Sequence, residues 1–349
     1  MLQSLLNPLG KFQHSPGNPR LHVRMDITNK CNLLCPMCHY PLTVKEHKFD
    51  MEPELFRKIA DQVFPHAASV ALACKYEAFM SRHIDEILEI AGASACRNIG
   101  IVSNATLWNE RRLRTILSND AFDVLHVSVD GGTKATYERF RVNANFDKFI
   151  RNLELFARLR REMGRTRPAL RLNTVFMKSN AAELPLILDL AIRVEATRLE
   201  VIRFLPINGS LDEAINDYEP FMPMLAEIKS RAHNHGIEIF LPIEDPRLDT
   251  ARDTALEAGC NEAEVGTYSD YCEAPWSGVQ IDPNGDMFPC LYYGKAFGNL
   301  KQQDFVEIWN SKPYLELRRS LATLKLHKPC EVCNPHGFDN MERKKRINA

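Results

Sequence analysis

The chain has 349 residues, 45% of them apolar, and a formal net charge of −1. It is long enough to bury a large core, and its charge excludes a general attraction to nucleic acid or to an anionic membrane. Because no run reaches the ~20 apolar residues of a membrane helix and the opening MLQSLLNPLGKFQHSPG lacks a secretion-signal pattern, we expect a cytoplasmic protein.

The first predicted element is a strand, since Leu21, Val23, Met25 and Ile27 alternate with polar residues. Apolar periodicity predicts further strands at 69–73, 99–103, 124–129, 170–176, 198–205 and 237–241, and helices at 52–63, 84–91, 110–117, 146–162, 182–194 and 220–234. Such strand–helix repeats predict an α/β fold with a parallel sheet and right-handed crossovers. Either an open doubly wound sheet or an incomplete barrel fits, and both place chemistry in loops at the carboxyl ends of the strands.

The composition changes after Leu241. Residues 245–271 are polar and lack periodicity, whereas GVQIDPNGDMFPCLYY at 278–293 has two strand-like runs around a turn, which predicts a hairpin. Helices are predicted at 305–310 and 314–321. The predicted domains are an N-terminal extension (1–20), a core (21–244), a small α+β module (245–340) and a basic tail (341–349).

Three cysteines follow the first strand in TNKCNLLCPMCHY, namely Cys31, Cys35 and Cys38 in the spacing C-x3-C-x2-C. Each iron of a [4Fe–4S] cubane takes one ligand beyond its sulfides, so three cysteines leave one iron open. By analogy with zinc sites, an open position is typical of a catalytic centre. Zinc with His39 as fourth ligand is the alternative, although the adjacent Cys38 and His39 make an awkward tetrahedral loop.

A second set of four cysteines consists of Cys272, Cys290, Cys330 and Cys333, which surround the predicted hairpin and end in C-x2-C. Four ligands make a closed shell, and spacing alone leaves zinc as an alternative to a second cluster. The other three cysteines, Cys74, Cys96 and Cys260, are expected to be free and buried; Cys260 is also an alternative ligand of the second site.

The C-x3-C-x2-C loop after the first strand of an α/β fold resembles the radical S-adenosylmethionine (radical SAM) superfamily. The resemblance implies a partial (β/α)6 TIM-like barrel in which SAM binds the open iron of a [4Fe–4S] cluster through its amino and carboxylate groups. An electron from an external donor such as flavodoxin or ferredoxin then cleaves the sulfonium, and the resulting 5′-deoxyadenosyl radical abstracts a substrate hydrogen.

Several further segments match this family in order. ACKYEA at 73–78 takes the place of its Gly-Gly-Glu-Pro, keeping only the glutamate; NAT at 104–106 stands for Asn-Gly-Thr, and HVSVDGG at 126–132 ends the fourth strand. The SAM contacts that the resemblance implies are Met37, Glu77, Asn104, Ser128, Arg141 and Leu205. Ordinary packing or a surface ion pair is the alternative for each of them.

The C-terminal segment CEAPW…IDPNGDMFPC…CEVC resembles the SPASM/twitch modules of the same superfamily. With four cysteines, it implies a single auxiliary [4Fe–4S] cluster that exchanges electrons, with a potential tuned by burial and hydrogen bonding. The C-x17-C…C-x2-C spacing resembles a twitch-type dehydrogenase of aminoglycoside biosynthesis.

We therefore expect an oxidoreductase that oxidises a small sugar- or cyclitol-like molecule, with the auxiliary cluster as electron acceptor. One alternative is a maturase that crosslinks, epimerises or forms a thioether in a ribosomally made peptide, although twenty residues before the first strand are too few for an N-terminal peptide-recognition domain. The other is a non-catalytic zinc adaptor. His39, Arg203, Glu273, Tyr292 and Tyr293 are candidates for a proton acceptor, among which the sequence does not choose.

Overall fold

The computed structural model describes residues 21–204, 212–241, 274–291, 293–322 and 327–331. The strands in these ranges are β1 Leu21–Met25, β2 Ala67–Leu72, β3 Ile99–Ser103, β4 Phe122–Ser128, β5 Ala169–Phe176, β6 Arg198–Arg203, β7 Glu238–Phe240, β8 Gly278–Ile281, β9 Asp286–Phe288 and β10 Gly298–Asn299. They form one sheet in the order β10-β9-β8-β1-β2-β3-β4-β5-β6-β7.

Helices lie between the strands, as the sequence predicts. They are α1 Tyr40–Thr43, α2 Pro53–Val63, α3 Ile84–Ala93, α4 Glu110–Leu117, α5 Lys134–Phe140, α6 Phe146–Glu162, α7 Leu184–Arg193, α8 Met222–Asn234, α9 Ala274–Ser277, α10 Phe305–Trp309, α11 Lys312–Ala322 and α12 Lys328–Glu331. Helices α4 and α6 begin and end at the predicted residues. Helix α5 was missed because seven residues give too short a periodic pattern; Thr133 caps it by accepting from the backbone of Thr136.

Strands β1 to β7 run parallel, and one face of their sheet packs on the helices. In β1 the side chains of Leu21, Val23 and Met25 are buried, whereas those of His22 and Arg24 are exposed on the opposite face. The predicted α/β fold with a parallel sheet is therefore confirmed. It places the loops that follow β1, β2, β3 and β4 next to one another at one edge.

The predicted hairpin forms, and its first strand continues the core sheet. Strand β8 pairs in parallel with β1, with Val23 opposite Val279, and β9 returns antiparallel to β8. Gly285 makes the turn with φ +89°, a conformation that favours glycine. Alternation of apolar residues predicts a hairpin but not its pairing partner, so nothing in the sequence pattern indicates that the C-terminal segment joins the core sheet.

Some expectations lie outside the described residues. They concern Leu205, Cys260, Cys272, Glu273, Tyr292 and Cys333, together with the segments 1–20, 245–271 and 341–349. The predicted domain boundaries stay predictions. Across the described part of the chain, no helix combines the length and apolarity required to cross a membrane.

Candidate cluster and cofactor site

The three-cysteine loop begins at the carboxyl end of β1. The backbone N–H of Cys38 donates to the Cys35 carbonyl at 2.9 Å, which closes a turn between these two cysteines. Backbone N–H groups also point at sulfur: Leu33 donates to Cys31 Sγ at 3.5 Å, and Tyr40 to Cys38 Sγ at 3.4 Å. Donors aimed at sulfur stabilise thiolates and tune iron–sulfur clusters.

Burial controls the protonation of these thiols. It raises the pKa of Cys31 to about 12. It also raises the pKa of Cys35, although the nearby Arg141 guanidinium acts to lower it. Burial therefore favours the neutral thiols, and binding iron would release their protons. Buried apolar side chains pack around them, namely Leu33, Met37, Phe140, Met177 and Phe204.

The donor set fits a [4Fe–4S] cluster better than a single ion. In the described ranges, no three His, Cys, Asp or Glu side chains form a group that could hold one metal ion. A cubane needs no such convergence, because each of its irons takes its own ligand. His39, the fourth ligand of the zinc alternative, has Nδ1 at 3.6 Å from Cys38 Sγ and packs edge-on against Tyr76.

Glu77 links the loops that follow β2 and β3. It is 2% exposed; its Oε1 accepts from Ser103 Oγ at 2.9 Å, and its Oε2 accepts from the backbone N–H of Asn104 at 2.7 Å. Burial raises the pKa of Glu77 to about 7, while these hydrogen bonds act to lower it. A hydrogen-bond donor of the cofactor beside the carboxylate would favour its charged form, which suits the SAM contact that the resemblance implies for Glu77.

Asn104 lies beside the first cysteine. Its Nδ2 donates to Asn32 Oδ1 at 3.0 Å and lies 4.0 Å from Cys31 Sγ, and Asn32 in turn donates to Thr106 Oγ1 at 2.9 Å. The structure thus brings the predicted Asn104 to the cysteine loop. Asn32 was not predicted, since only its place between two cysteines marks it in the sequence.

Ala105 occupies the middle position of the Asn-Ala-Thr segment with φ +58° and no exposed surface. A left-handed conformation costs an L-residue about 1 kcal/mol or more. We expect Ala105→Gly to change the free energy of unfolding by less than about 0.5 kcal/mol, because relief of this strain offsets the lost methyl group. The buried Ala91 of α3 has no such strain, so Ala91→Gly should cost about 1 kcal/mol. Denaturant unfolding of both variants tests the difference, and an equal loss would contradict it.

Arg141 also lies beside the cysteine loop. Its Nη1 is 3.8 Å from Cys35 Sγ, and its Nη2 forms an ion pair with the fully buried Asp130. Asp130 Oδ1 accepts from the backbone N–H of Val175 at 2.8 Å, so this carboxylate ties Arg141 to the end of β5. Asp130 was not singled out from the sequence, although it lies within HVSVDGG.

Two other predicted SAM contacts have less distinctive surroundings. Ser128 ends β4, is partly exposed and lies opposite Asn173 of β5. Met37 is 8% exposed and belongs to the apolar group around Cys35. The SAM contacts of Met37, Glu77, Asn104, Ser128, Arg141 and Leu205 therefore stay proposals.

Asp26, at the end of β1, is an unpredicted feature of the site. It is fully buried, and its Oδ1 accepts from the backbone N–H groups of Cys74 at 2.8 Å and Lys75 at 2.9 Å. Its Oδ2 accepts from Gln280 Nε2 of β8 at 3.1 Å. Burial raises the pKa of Asp26 from 3.8 to about 6, although the two backbone donors act to lower it.

This raised pKa predicts a pH dependence of stability. Between the two pKa values the folded state holds the proton more tightly than the unfolded state, so that the contribution of Asp26 to stability falls as the pH rises. From about pH 5 to about pH 7 the fall should be roughly 1 kcal/mol. The Asp26→Asn variant has no carboxyl group to ionise at this position, so it should not show this fall in stability. Thermal unfolding measured without air should therefore give a flatter dependence of stability on pH for the variant than for wild type. Parallel profiles would contradict the assignment.

The second cysteine set is described in part. Tyr293 Oη and His327 Nδ1 are hydrogen-bonded at 2.8 Å, and the His327 carbonyl accepts from the backbone N–H of Cys330 at 2.7 Å. Tyr293 lies three residues after Cys290, so these bonds hold the Cys290 and Cys330 segments together. Cys272 and Cys333 are outside the described residues, and the four-cysteine cluster site stays a proposal.

Two family models match the chain. The Radical SAM superfamily model matches residues 25–168, and the model of SPASM, an iron–sulfur cluster-binding domain, matches residues 272–334. The first match contains the three-cysteine loop and the segments with Glu77, Asn104 and Ser128. The second contains all four cysteines of the C-terminal set.

Relatives align over most of the chain. A PqqA peptide cyclase from Methylobacterium sp. (strain 4-46) is 23% identical over 329 residues, covering 90% of this chain and 78% of the relative. The tungsten-containing aldehyde ferredoxin oxidoreductase cofactor-modifying protein of Pyrococcus furiosus is 23% identical over 341 residues, covering 90% and 87%. Streptococcus suis SuiB, solved with the precursor peptide SuiA, superposes with a TM-score of 0.68 at 16% identity, covering 94% of this chain and 74% of SuiB. This shared fold confirms the predicted fold class.

Proposed function

Because this chain belongs to the radical SAM superfamily and carries a C-terminal SPASM module, we propose that it is a maturase that modifies a ribosomally made peptide. Support comes from the similarity, over nine-tenths of the chain, to a protein named PqqA peptide cyclase. SuiB, which shares the fold, was solved with a precursor peptide. The expected oxidation of a sugar- or cyclitol-like molecule is not confirmed, and these relatives support the peptide alternative better.

The chain is an enzyme that uses S-adenosylmethionine and iron–sulfur clusters, as its two domains imply. When bound, these cofactors supply the electron that cleaves the sulfonium and the radical that removes a hydrogen atom from the substrate. The zinc-adaptor alternative has no support from this family. An external donor such as flavodoxin or ferredoxin and a location in the cytoplasm, where thiols stay reduced, complete the proposal.

The residues of the chain hold and shield these groups. Cys31, Cys35 and Cys38 would bind three irons, and the apolar side chains around Cys35 would limit the access of water to the cluster. Glu77 and Asn104 place a carboxylate and an amide beside this loop, where they would orient the amino acid part of SAM. The C-terminal set, Cys272, Cys290, Cys330 and Cys333, would bind the auxiliary cluster.

Mass spectrometry of candidate substrates tests the peptide assignment. Protein reconstituted and reduced without air is incubated with SAM and synthetic peptides encoded by short reading frames beside its gene, and in parallel with a panel of amino sugars and cyclitols. We expect a peptide to lose two hydrogen atoms, or to gain deuterium from deuterated water if it is epimerised, as 5′-deoxyadenosine forms. The Cys31→Ala variant is the control. A ketone from a panel compound, with every peptide unchanged, would reject the peptide assignment and restore small-molecule oxidation.

A further inference from the structure

A polar network joins the C-terminal hairpin to the loop after β2. Its centre is Asp26, which accepts from the backbone of Cys74 and Lys75 on one side and from the Gln280 side chain on the other. Gln280 lies on β8 and is 1% exposed. The module therefore contributes a buried donor to the same carboxylate that holds the β2 loop.

An ion pair lies beside this network, since Gln280 reaches both carboxylates. Lys75 Nζ donates to Asp282 Oδ1 at 2.7 Å, and Gln280 Nε2 lies 3.3 Å from the same oxygen. Both partners are partly buried, with side-chain exposures of 22% for Lys75 and 25% for Asp282. The ammonium also lies 5.6 Å from the ring centroid of Phe288 in β9. Lys75 is therefore linked to the hairpin in two ways. Its backbone N–H binds Asp26, which accepts from Gln280, and its side chain binds Asp282.

The loop that contains Lys75, residues 73–77, also carries a proposed SAM contact, Glu77, two residues after Lys75. It begins at Ala73, whose φ of +63° is strained for alanine. It ends at Glu77, whose backbone N–H donates to the Lys30 carbonyl at 3.0 Å, next to Cys31. Lys75 is two residues before Glu77, so a shift of Lys75 would act on the backbone that leads to Glu77.

We propose that Lys75 and Asp282 are positioning residues that make the affinity for SAM depend on the docking of the C-terminal module. When β8 pairs with β1, Gln280 holds Asp26, which accepts from the backbone N–H groups of 74 and 75, and Asp282 holds the Lys75 side chain. Glu77 is then placed for the cofactor. Lys75 stands where the family pattern has a glycine, which could not make this ion pair. The coupling is reciprocal, since binding energies between linked sites must balance, so SAM should in turn stabilise the pairing of β8.

The module offers a matched control contact. Asp304, just before α10, accepts from Gln62 Nε2 at 2.8 Å and pairs with Lys58 Nζ at 3.2 Å, both on α2. This contact also joins the module to the core, but it lies on the outer, helical side and touches no residue of the 73–77 loop. Its loss should loosen the contact of the module with α2 but leave the pairing of β8 with β1, and with it the position of Glu77, unchanged.

SAM affinity of the reconstituted protein, measured by equilibrium dialysis without substrate, tests the coupling. Asp282→Asn should raise the Kd for SAM about fivefold, which corresponds to one partly buried ion pair. Lys75→Met should raise the Kd by a similar factor. In Lys75→Arg and in Asp304→Asn the Kd should stay within about twofold of the wild-type value. Hydrogen exchange supplies a second readout: SAM should slow exchange at 278–281 in wild type and in Asp304→Asn, but not in Asp282→Asn.

Three results would overturn the coupling. One is a Kd for SAM that is unchanged in both Asp282→Asn and Lys75→Met, even if their melting temperatures fall. Another is an equal loss of affinity in Asp304→Asn, which would mean that any loosening of the module acts alike. The third is no effect of SAM on exchange at 278–281 in wild type. No peptide takes part, so failure of the peptide assignment leaves these results unaffected.

Discussion

Replacing Cys31 with alanine is expected to remove about four irons per chain and to reduce SAM cleavage more than about a thousandfold, the scale of losing a group essential to the reaction. Cys31 is one of three thiols in a loop with no other described cysteine, so two ligands would remain for a cluster that needs three. Iron and sulfide content after reconstitution without air, together with 5′-deoxyadenosine formation, measures both effects. The second cluster should keep its iron.

Cys96→Ala is the matched control for this loss. Cys96 is 2% exposed and belongs to the main apolar core rather than to the group around Cys35. Its replacement should lower stability by about 1 kcal/mol, through the lost sulfur contacts, and leave the iron content unchanged. If Cys31→Ala kept wild-type iron and SAM cleavage, the assignment of the first site would fail.

The repeating part of the fold could be predicted because one local pattern fixes each element. Alternation in β1 predicts which side chains face the helices, and the burial of Leu21 and Val23 against the exposure of Arg24 agrees with it. Strand–helix repetition then fixes the parallel sheet. Cys31, Cys35 and Cys38 could be assigned together because they are close in sequence and their spacing has a chemical meaning.

Contacts between distant segments could not be predicted in this way. Lys75 and Asp282 are 207 residues apart, and nothing in either segment specifies the other. Asp130 lies within a recognised segment, but only the fold shows that it pairs with Arg141. These contacts arise from the pairing of β8 with β1 and from the meeting of loops at one edge, which a one-dimensional pattern does not contain.

The second large effect expected is a separation of two activities in Cys290→Ala. The variant should form modified product more than about a hundredfold more slowly, while 5′-deoxyadenosine still forms without product at nearly the wild-type rate. Loss of one of the four proposed ligands would remove the cluster of the C-terminal module, whereas the three-cysteine loop would keep its own proposed ligands. Liquid chromatography with mass spectrometry measures both products in one reaction.

Tyr293→Phe distinguishes the loss of a ligand from disturbance of the segment that carries it. This variant removes the hydroxyl bonded to His327 Nδ1, and hence the link between the Cys290 and Cys330 segments, but keeps every cysteine. We expect it to retain iron and product formation within about threefold, as suits the loss of one partly buried hydrogen bond.

Wild-type turnover in Cys290→Ala would rule out an electron-accepting role for the second cluster. Loss of both SAM cleavage and product in Cys290→Ala would instead mean that the module must hold its cluster to keep the SAM site in place. Hydrogen exchange at 278–281 in the same variant would then show whether β8 has separated from β1.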